Sequence, residues 1–335
     1  MKFSINRLNM TSAQAFAESA VRAEAAGWTQ GLRPCSPLLS QDPYVGLAFA
    51  AERTSTLEIG TLLDSPVVRH PSVLASSIAT VARLAPGRTH MGLGVGDTAV
   101  RLNGLAPASV AGLRAATETV IALLAGEALD VGGQRPVRLS HATSVPVWIA
   151  AQGPRTLRMA GAVADGVWIR VGTHPANLRA AWEAVVAGAR DAGRDPGDVR
   201  LGLIFHTAVT SDRREAALMS KALAAGYYEY SRFLFDAPGF EWNGPDVHEL
   251  QAQVWPDFHH HRDLVAAGEV VDFLSAEVGG GFALAGDWDR IAEQLQGILE
   301  LGLPVDYVLP HPCLPPGSRI DFLEDAARQL LPRFA

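Results

Sequence analysis

The chain has 335 residues, a formal net charge of −7 and 48% hydrophobic residues. That apolar share supports a sizeable core and excludes a disordered chain, while the acidic balance argues against nucleic acid or an anionic membrane as the main partner. The 2 cysteines, Cys35 and Cys313, are too few for a disulfide framework and too far apart for a metal motif, so a reducing compartment and no metal site are expected. No run reaches about 18 apolar residues, and "MKFSINRLNM" holds no apolar core of signal-peptide length. The expectation is a cytoplasmic protein with no membrane partner.

In chain order, "KFSINRL" reads as a strand and "SAQAFAESAVRAEAAG" as an amphipathic helix, with Ser12 as N-cap and Gly27 as stop. "TQGLRP" is a second strand, followed by a helix from Asp42 to Arg53. "LEIGTLL" is a third, and "PSVLASSIATVARLAPG" is a helix with Pro71 in its first turn. "THMGLGVG" leads to the helix "SVAGLRAATETVIALLAG", and "VPVWIAA" to the helix "RTLRMAGAVA". "DGVWIRV" precedes a helix from Pro175 to Gly193, "VRLGLIFHTAV" follows, and "VDYVLPHP" is the last strand.

These eight strands are apolar runs without strict alternation, as parallel strands buried on both faces require. Each is followed by a helical segment, which predicts an α/β fold: one (β/α)8 TIM barrel domain over residues 1–335. Residues 126–145 form an excursion from this alternation, and 226–285 a larger insertion of the kind that covers an active site.

The stretch "GRTHMGLGVGDTAVRLNG" places Gly92, Gly94 and Gly96 at every second position, with Asp97 next. A dinucleotide fingerprint needs G-x-G-x-x-G after the first strand, and neither spacing nor place agrees. Glycines on one face of a barrel strand either clear room for a flat ring or ease barrel packing. Asp97 ends the strand on the face where barrels carry catalysis.

With these residues in view, the chain resembles the luciferase-like superfamily, and within it the coenzyme F420-dependent oxidoreductases. The resemblance is carried by "IGTLLDSPVVRHPSVLASSIATVARLAPGR", "MGLGVGDTAVRLNG", "VPVWIAAQGPRTLRMAGAVADGVWI" and "FALAGDWDRIAEQLQGILELGLPVDYVL", in that order over most of the chain. It implies a luciferase-like barrel, a small-molecule substrate, coenzyme F420 or alternatively FMN as cofactor, and a homodimer. Position by position, it places a cis peptide at Leu62–Leu63 beneath the ring, with Ser65 beside it. Gly94, Val95, Gly96 and Asp97 would line the ring, Ala150, Ala151 and Gln152 would run along the cofactor, and Gly153, Pro154, Arg155 and Thr156 would meet its phosphate at a helix start.

Asp97 and His260 are the candidate catalytic residues. Asp97 takes the place of a proposed proton donor, its alternative being a turn cap. His260 lies in "FHHHRD" with His259 and His261, any of which could serve as acid or base. The dehydrogenase relatives carry a catalytic His where this chain has Cys35 and Ser36, so a reduction is expected over sugar-phosphate oxidation. His70 reads as a cap, His206 as a core residue, and His311 as a further candidate beyond the last strand. The aromatic stretch "FLFDAPGFEWNG" walls a pocket or forms a lid with its own core. An FMN monooxygenase is the first competing function, and a non-catalytic ligand-binding barrel the second.

Overall fold

The computed structural model describes residues 1–130 and 134–334, and the chain packs as two compact units. The first comprises Lys2–Trp168 with Ala184–Gly202. It begins with strand β1 (Lys2–Ile5), helix α1 (Ala13–Ala25), β2 (Gln30–Arg33), α2 (Pro43–Arg53), β3 (Glu58–Thr61) and α3 (Pro71–Leu84). After β4 (Thr89–Leu93) come a short α4 (Thr98–Arg101) and α5 (Val110–Leu124), then β5 (Val147–Ala151), α6 (Pro154–Val163), β6 (Gly166–Ile169) and, from Ala184 on, the second half of α7 (Pro175–Asp191). The strands lie side by side in chain order and parallel, with Ile5 beside Gly31, Gly31 beside Ile59, Ile59 beside Thr89 and Met91 beside Val147.

The helix starts follow from single side chains. Ser12 accepts from Ala15 N–H, Asp42 from Tyr44 and Val45, and the His70 ring from Ser72, as a cap role requires. Each such cap contributes about 0.5–2 kcal/mol. Gly27, at φ +91°, takes the left-handed conformation that stops α1.

Helices α6 and α7 cross through glycines. A Cβ on Gly161 would lie 2.0 Å from the Val185 carbonyl oxygen, and one on Gly188 would lie 1.8 Å from that of Arg158. Backbone cannot yield as a side-chain tip can. Gly161→Ala is therefore expected to lower stability by about 2–3 kcal/mol, read as a shift in the denaturant midpoint. An unchanged midpoint would mean that the helices separate freely.

The second unit holds Ile169–Glu183 and the chain from Leu203 onward. The long strand β7 (Arg200–Val209) is followed by α8 (Arg213–Tyr230), α9 (Val247–Gln251), α10 (Leu264–Val270) and α11 (Ala276–Gly280). Then come β8 (Ala283–Gly286), α12 (Trp288–Leu299), β9 (Val305–Cys313) and α13 (Phe322–Gln329). Strand β7 lies between β9 and β8, with His206 beside Ala283 and Val209 beside Gly286.

Strand β8 corrects the sequence reading, which took residues 226–285 as insertion and Val305 onward as the eighth strand. Its residues, "ALAG", carry none of the β-branched or aromatic side chains that signal a strand. The insertion itself consists of short helices around aromatic side chains. Phe235 stacks on Phe282 at 4.9 Å, Phe240 lies 5.1 Å from Phe282, and Tyr228 stacks on Trp242 at 4.2 Å. Phe235 and Phe240 of "FLFDAPGFEWNG" thus pack on Phe282, next to the start of β8. Among the described residues no helix is long and apolar enough to cross a membrane.

Candidate active site

Strand β3 runs into a bulge whose Leu62–Leu63 peptide is cis, the bond the resemblance singled out. The ladder resumes beyond it. Asp64 N–H donates to the Gly92 carbonyl at 2.9 Å, and Gly94 N–H donates to the Asp64 carbonyl at 3.0 Å. The glycines of β4 make this approach possible. A Cβ on Gly92 would lie 2.3 Å from the Thr61 carbonyl oxygen, and one on Gly94 2.7 Å from a Leu63 methyl. Gly96, at φ +82°, would meet Val100 at 2.3 Å and the Ser65 hydroxyl at 2.8 Å. The space vacated by these side chains is thus filled by the bulge and its flank, which is the packing role of the glycine run. Leu63 and Val95 remain half-exposed above it, and Leu62 and Ser65 are buried.

Beneath the bulge sits a cluster that sequence reasoning missed. The fully buried Asp64 carboxylate accepts from the Tyr44 hydroxyl at 2.9 Å and from Ser65 N–H at 2.8 Å, with Arg69 Nε at 3.4 Å. Burial lifts the Asp64 carboxyl above its usual range, against the pull of Ser65, Tyr44 and Arg69. Burial first, then Asp64, pushes the Tyr44 hydroxyl well up, and the Cys35 thiol is raised in the same way. The cluster anchors the bulge from below: Asp64 is both a member of the ladder and the acceptor that orients α2 through Tyr44. The available signal was an Asp inside the apolar run "GTLLDSP", with Arg69 downstream.

Beside the bulge, β5 ends at Ala151 and its turn opens α6. Pro154 occupies the first helical turn and Gly153 the N-cap position, where no side chain caps the helix. Helices α1, α2, α5, α8 and α12 all carry a side-chain cap, from Ser12, Asp42, Ser109, Asp212 and Asp287. Arg155 is exposed and makes no ion pair or hydrogen bond among the described residues, and Thr156 is half-buried next to it. An uncapped helix start with an unengaged guanidinium fits a phosphate. Ala150, Gln152 and Gly153 are half-buried along the approach. The strand order thereby brings the bulge, the end of β4 and the β5–α6 turn together in one unit.

Asp97 is exposed just before α4 and does not cap it; its carboxylate pairs with Arg101 Nε at 2.6 Å. Cys35 is buried at the end of β2, with Ser36 half-buried beside it.

The three adjacent histidines diverge, and the one turned inward is His259. His260, the sequence candidate, stands exposed with Nδ1 2.8 Å from Asp257. Burial raises the Asp257 carboxyl, but the bond to His260 and its charge outweigh that and leave it below its ordinary value. His259 is 8% exposed, its ring 5.0 Å from His206 and 4.9 Å from Tyr227. Gly226 admits it, since a Cβ there would lie 2.5 Å from the His259 ring. His206 is buried as expected, and His311 lies 5.3 Å from it.

Burial first, then the charges of Arg170, His206 and His260, hold the His259 pKa well below its ordinary value, with Asp257 opposing. The unfolded chain takes up a proton at about pH 6.5, where folded His259 does not. Stability conferred by neutral His259 is therefore complete above that pH and lost as pH falls below it. In His259→Phe, the decline of the unfolding midpoint between about pH 7 and pH 5 should flatten. Parallel declines in both proteins would exclude this origin.

The chain matches the luciferase-like monooxygenase family over residues 3–303 and belongs to that family. Its fold class is accordingly the luciferase-like (β/α)8 barrel. It is 30% identical over 194 residues to 5,10-methylenetetrahydromethanopterin reductase of Methanolobus tindarius, a match covering 56% of this chain and 59% of that protein. It is 28% identical over 306 residues to F420-dependent glucose-6-phosphate dehydrogenase of Nocardia farcinica, covering 86% of this chain and 82% of that protein. The solved structure of coenzyme F420-dependent tetrahydromethanopterin reductase from Methanopyrus kandleri matches with a TM-score of 0.73 and 21% identity, over 100% of this chain and 99% of that one.

Proposed function

We propose that this chain binds coenzyme F420 and transfers hydride between it and a small organic substrate, acting as a reductase. The observation that carries the reading is the start of α6, uncapped by any side chain and flanked by unengaged Arg155, in a chain whose relatives are named for F420. The cofactor, when bound, supplies a two-electron hydride carrier.

The protein's own part is binding and shielding. The N–H groups of Arg155 and Thr156, with the Arg155 guanidinium, hold the phosphate. Leu63 and Val95, half-exposed over the bulge, offer an apolar bed for the ring, and the small Ala150 and Ala151 let it approach β5. The substrate proton comes from Asp97 or water. With Cys35 and Ser36 where dehydrogenase relatives keep a catalytic histidine, this chain lacks the base that sugar oxidation would need there. A cytoplasmic homodimer completes the proposal.

The family description, luciferase-like monooxygenase, favours a second reading with FMN in the same cradle. Titration of the purified chain with each cofactor, followed by absorbance and fluorescence, decides between them. Saturable F420 binding with weaker FMN binding supports the reductase; the reverse order supports the monooxygenase.

A further inference from the structure

Arg170 follows β6 directly, half-buried and without an ion pair or hydrogen bond among the described residues. Its guanidinium carbon stands 5.6 Å from the centre of the Tyr227 ring. Tyr227 is 1% exposed; its hydroxyl lies against Gly172 N–H yet has no hydrogen-bond partner of regular geometry. The ring of His259 is 4.9 Å from that of Tyr227, and neither of its nitrogens has a hydrogen-bond partner among the described residues. Buried polar groups left unmatched destabilise a fold, and here two stand beside a guanidinium that has no ion pair. The nearby acid, Asp257, is engaged by His260.

We propose that Arg170, Tyr227 and His259 form a recognition site for a carboxylate group of the substrate. The inference rests on the oxidoreductase reading only in calling the ligand a substrate. Charge decides the class of ligand. Arg170 is the one fixed cation of the group; His259, kept neutral, and Tyr227 contribute neutral donors. One cation with neutral donors matches a monoanion, and the guanidinium fork matches two carboxylate oxygens. A phosphate dianion would leave a charge uncompensated in a buried place, and Arg170 repels a metal cation. Phe282, itself fully buried, stacks on Tyr227 at 4.9 Å, so the surroundings of these groups are apolar. An aromatic or apolar acid therefore fits best.

The test uses the full chain with isotope-labelled histidine, titrated with sodium benzoate and separately with inorganic phosphate while the imidazole resonances are followed. The His259 signal is identified by its loss in His259→Phe. Benzoate should shift it saturably, phosphate should not, Arg170→Gln should weaken benzoate binding at least about tenfold, and Arg170→Lys should weaken it less. Absence of a saturable His259 shift, equal benzoate affinity in Arg170→Gln, or phosphate binding as tight as benzoate would each overturn the site. Benzoate binding that depends on Arg170 supports the site whether or not F420 binds the same sample, so the site and the F420 reading can fail separately.

Discussion

Asp64→Ala is expected to lower the stability of the fold by about 3–5 kcal/mol, the cost of breaking a buried charge cluster. Alanine removes the acceptor for the Tyr44 hydroxyl and Ser65 N–H and leaves Arg69 with Asp42 alone. It also leaves a cavity directly below the bulge. Asp64→Asn keeps an acceptor for Tyr44 and Ser65 but loses the charge, so its cost should be about half as large. Equilibrium denaturation of both variants measures this. The loss should be accompanied by weaker cofactor binding, because the bulge is anchored to β4 through the same residue. A midpoint within about 0.5 kcal/mol of the parent, the range of an ordinary surface substitution, would show that the cluster does not hold the bulge.

Arg155→Ala should act the opposite way, on binding and not on folding. Its side chain is exposed and engages nothing in the protein, so the unfolding midpoint should not move. A hydrogen bond to a charged group contributes about 1.5–3 kcal/mol, so F420 affinity should fall about 10- to 100-fold. Arg155→Lys should recover part of the loss, as a point charge without the planar fork. Titration at two salt concentrations adds a check: the difference between parent and variant should shrink at the higher one. Equal affinity in parent and Arg155→Ala would remove the phosphate from the start of α6.

Much of the fold was legible because its signals are local. Ser12, Asp42 and His70 cap the helices they precede, Gly27 stops α1, and apolar runs mark the buried strands up to β7. Strand β8 was not legible, since "ALAG" has no periodicity and only its pairing with β7 makes it a strand. The glycine run shows a second limit. Its spacing left ring clearance and packing both open, and the atoms that fill the positions over Gly92 and Gly94 come from β3 and Leu63, some 30 residues upstream. Asp64 was invisible as a buried anchor because its partners Tyr44 and Arg69 flank it at unrelated distances in the sequence. Adjacent histidines pose the same difficulty: no pattern in "FHHHRD" tells that His259 turns inward against Gly226 while His260 meets Asp257 outside.

A competition between cofactors for the purified chain decides whether it is an F420-dependent reductase. F420 and FMN are each titrated against the parent protein and Arg155→Ala, with bound cofactor read by absorbance and fluorescence. Saturable F420 binding at micromolar concentration, weaker FMN binding, and loss of F420 affinity in the variant are expected. Failure of both cofactors to bind, or preference for FMN, would contradict the F420 reading.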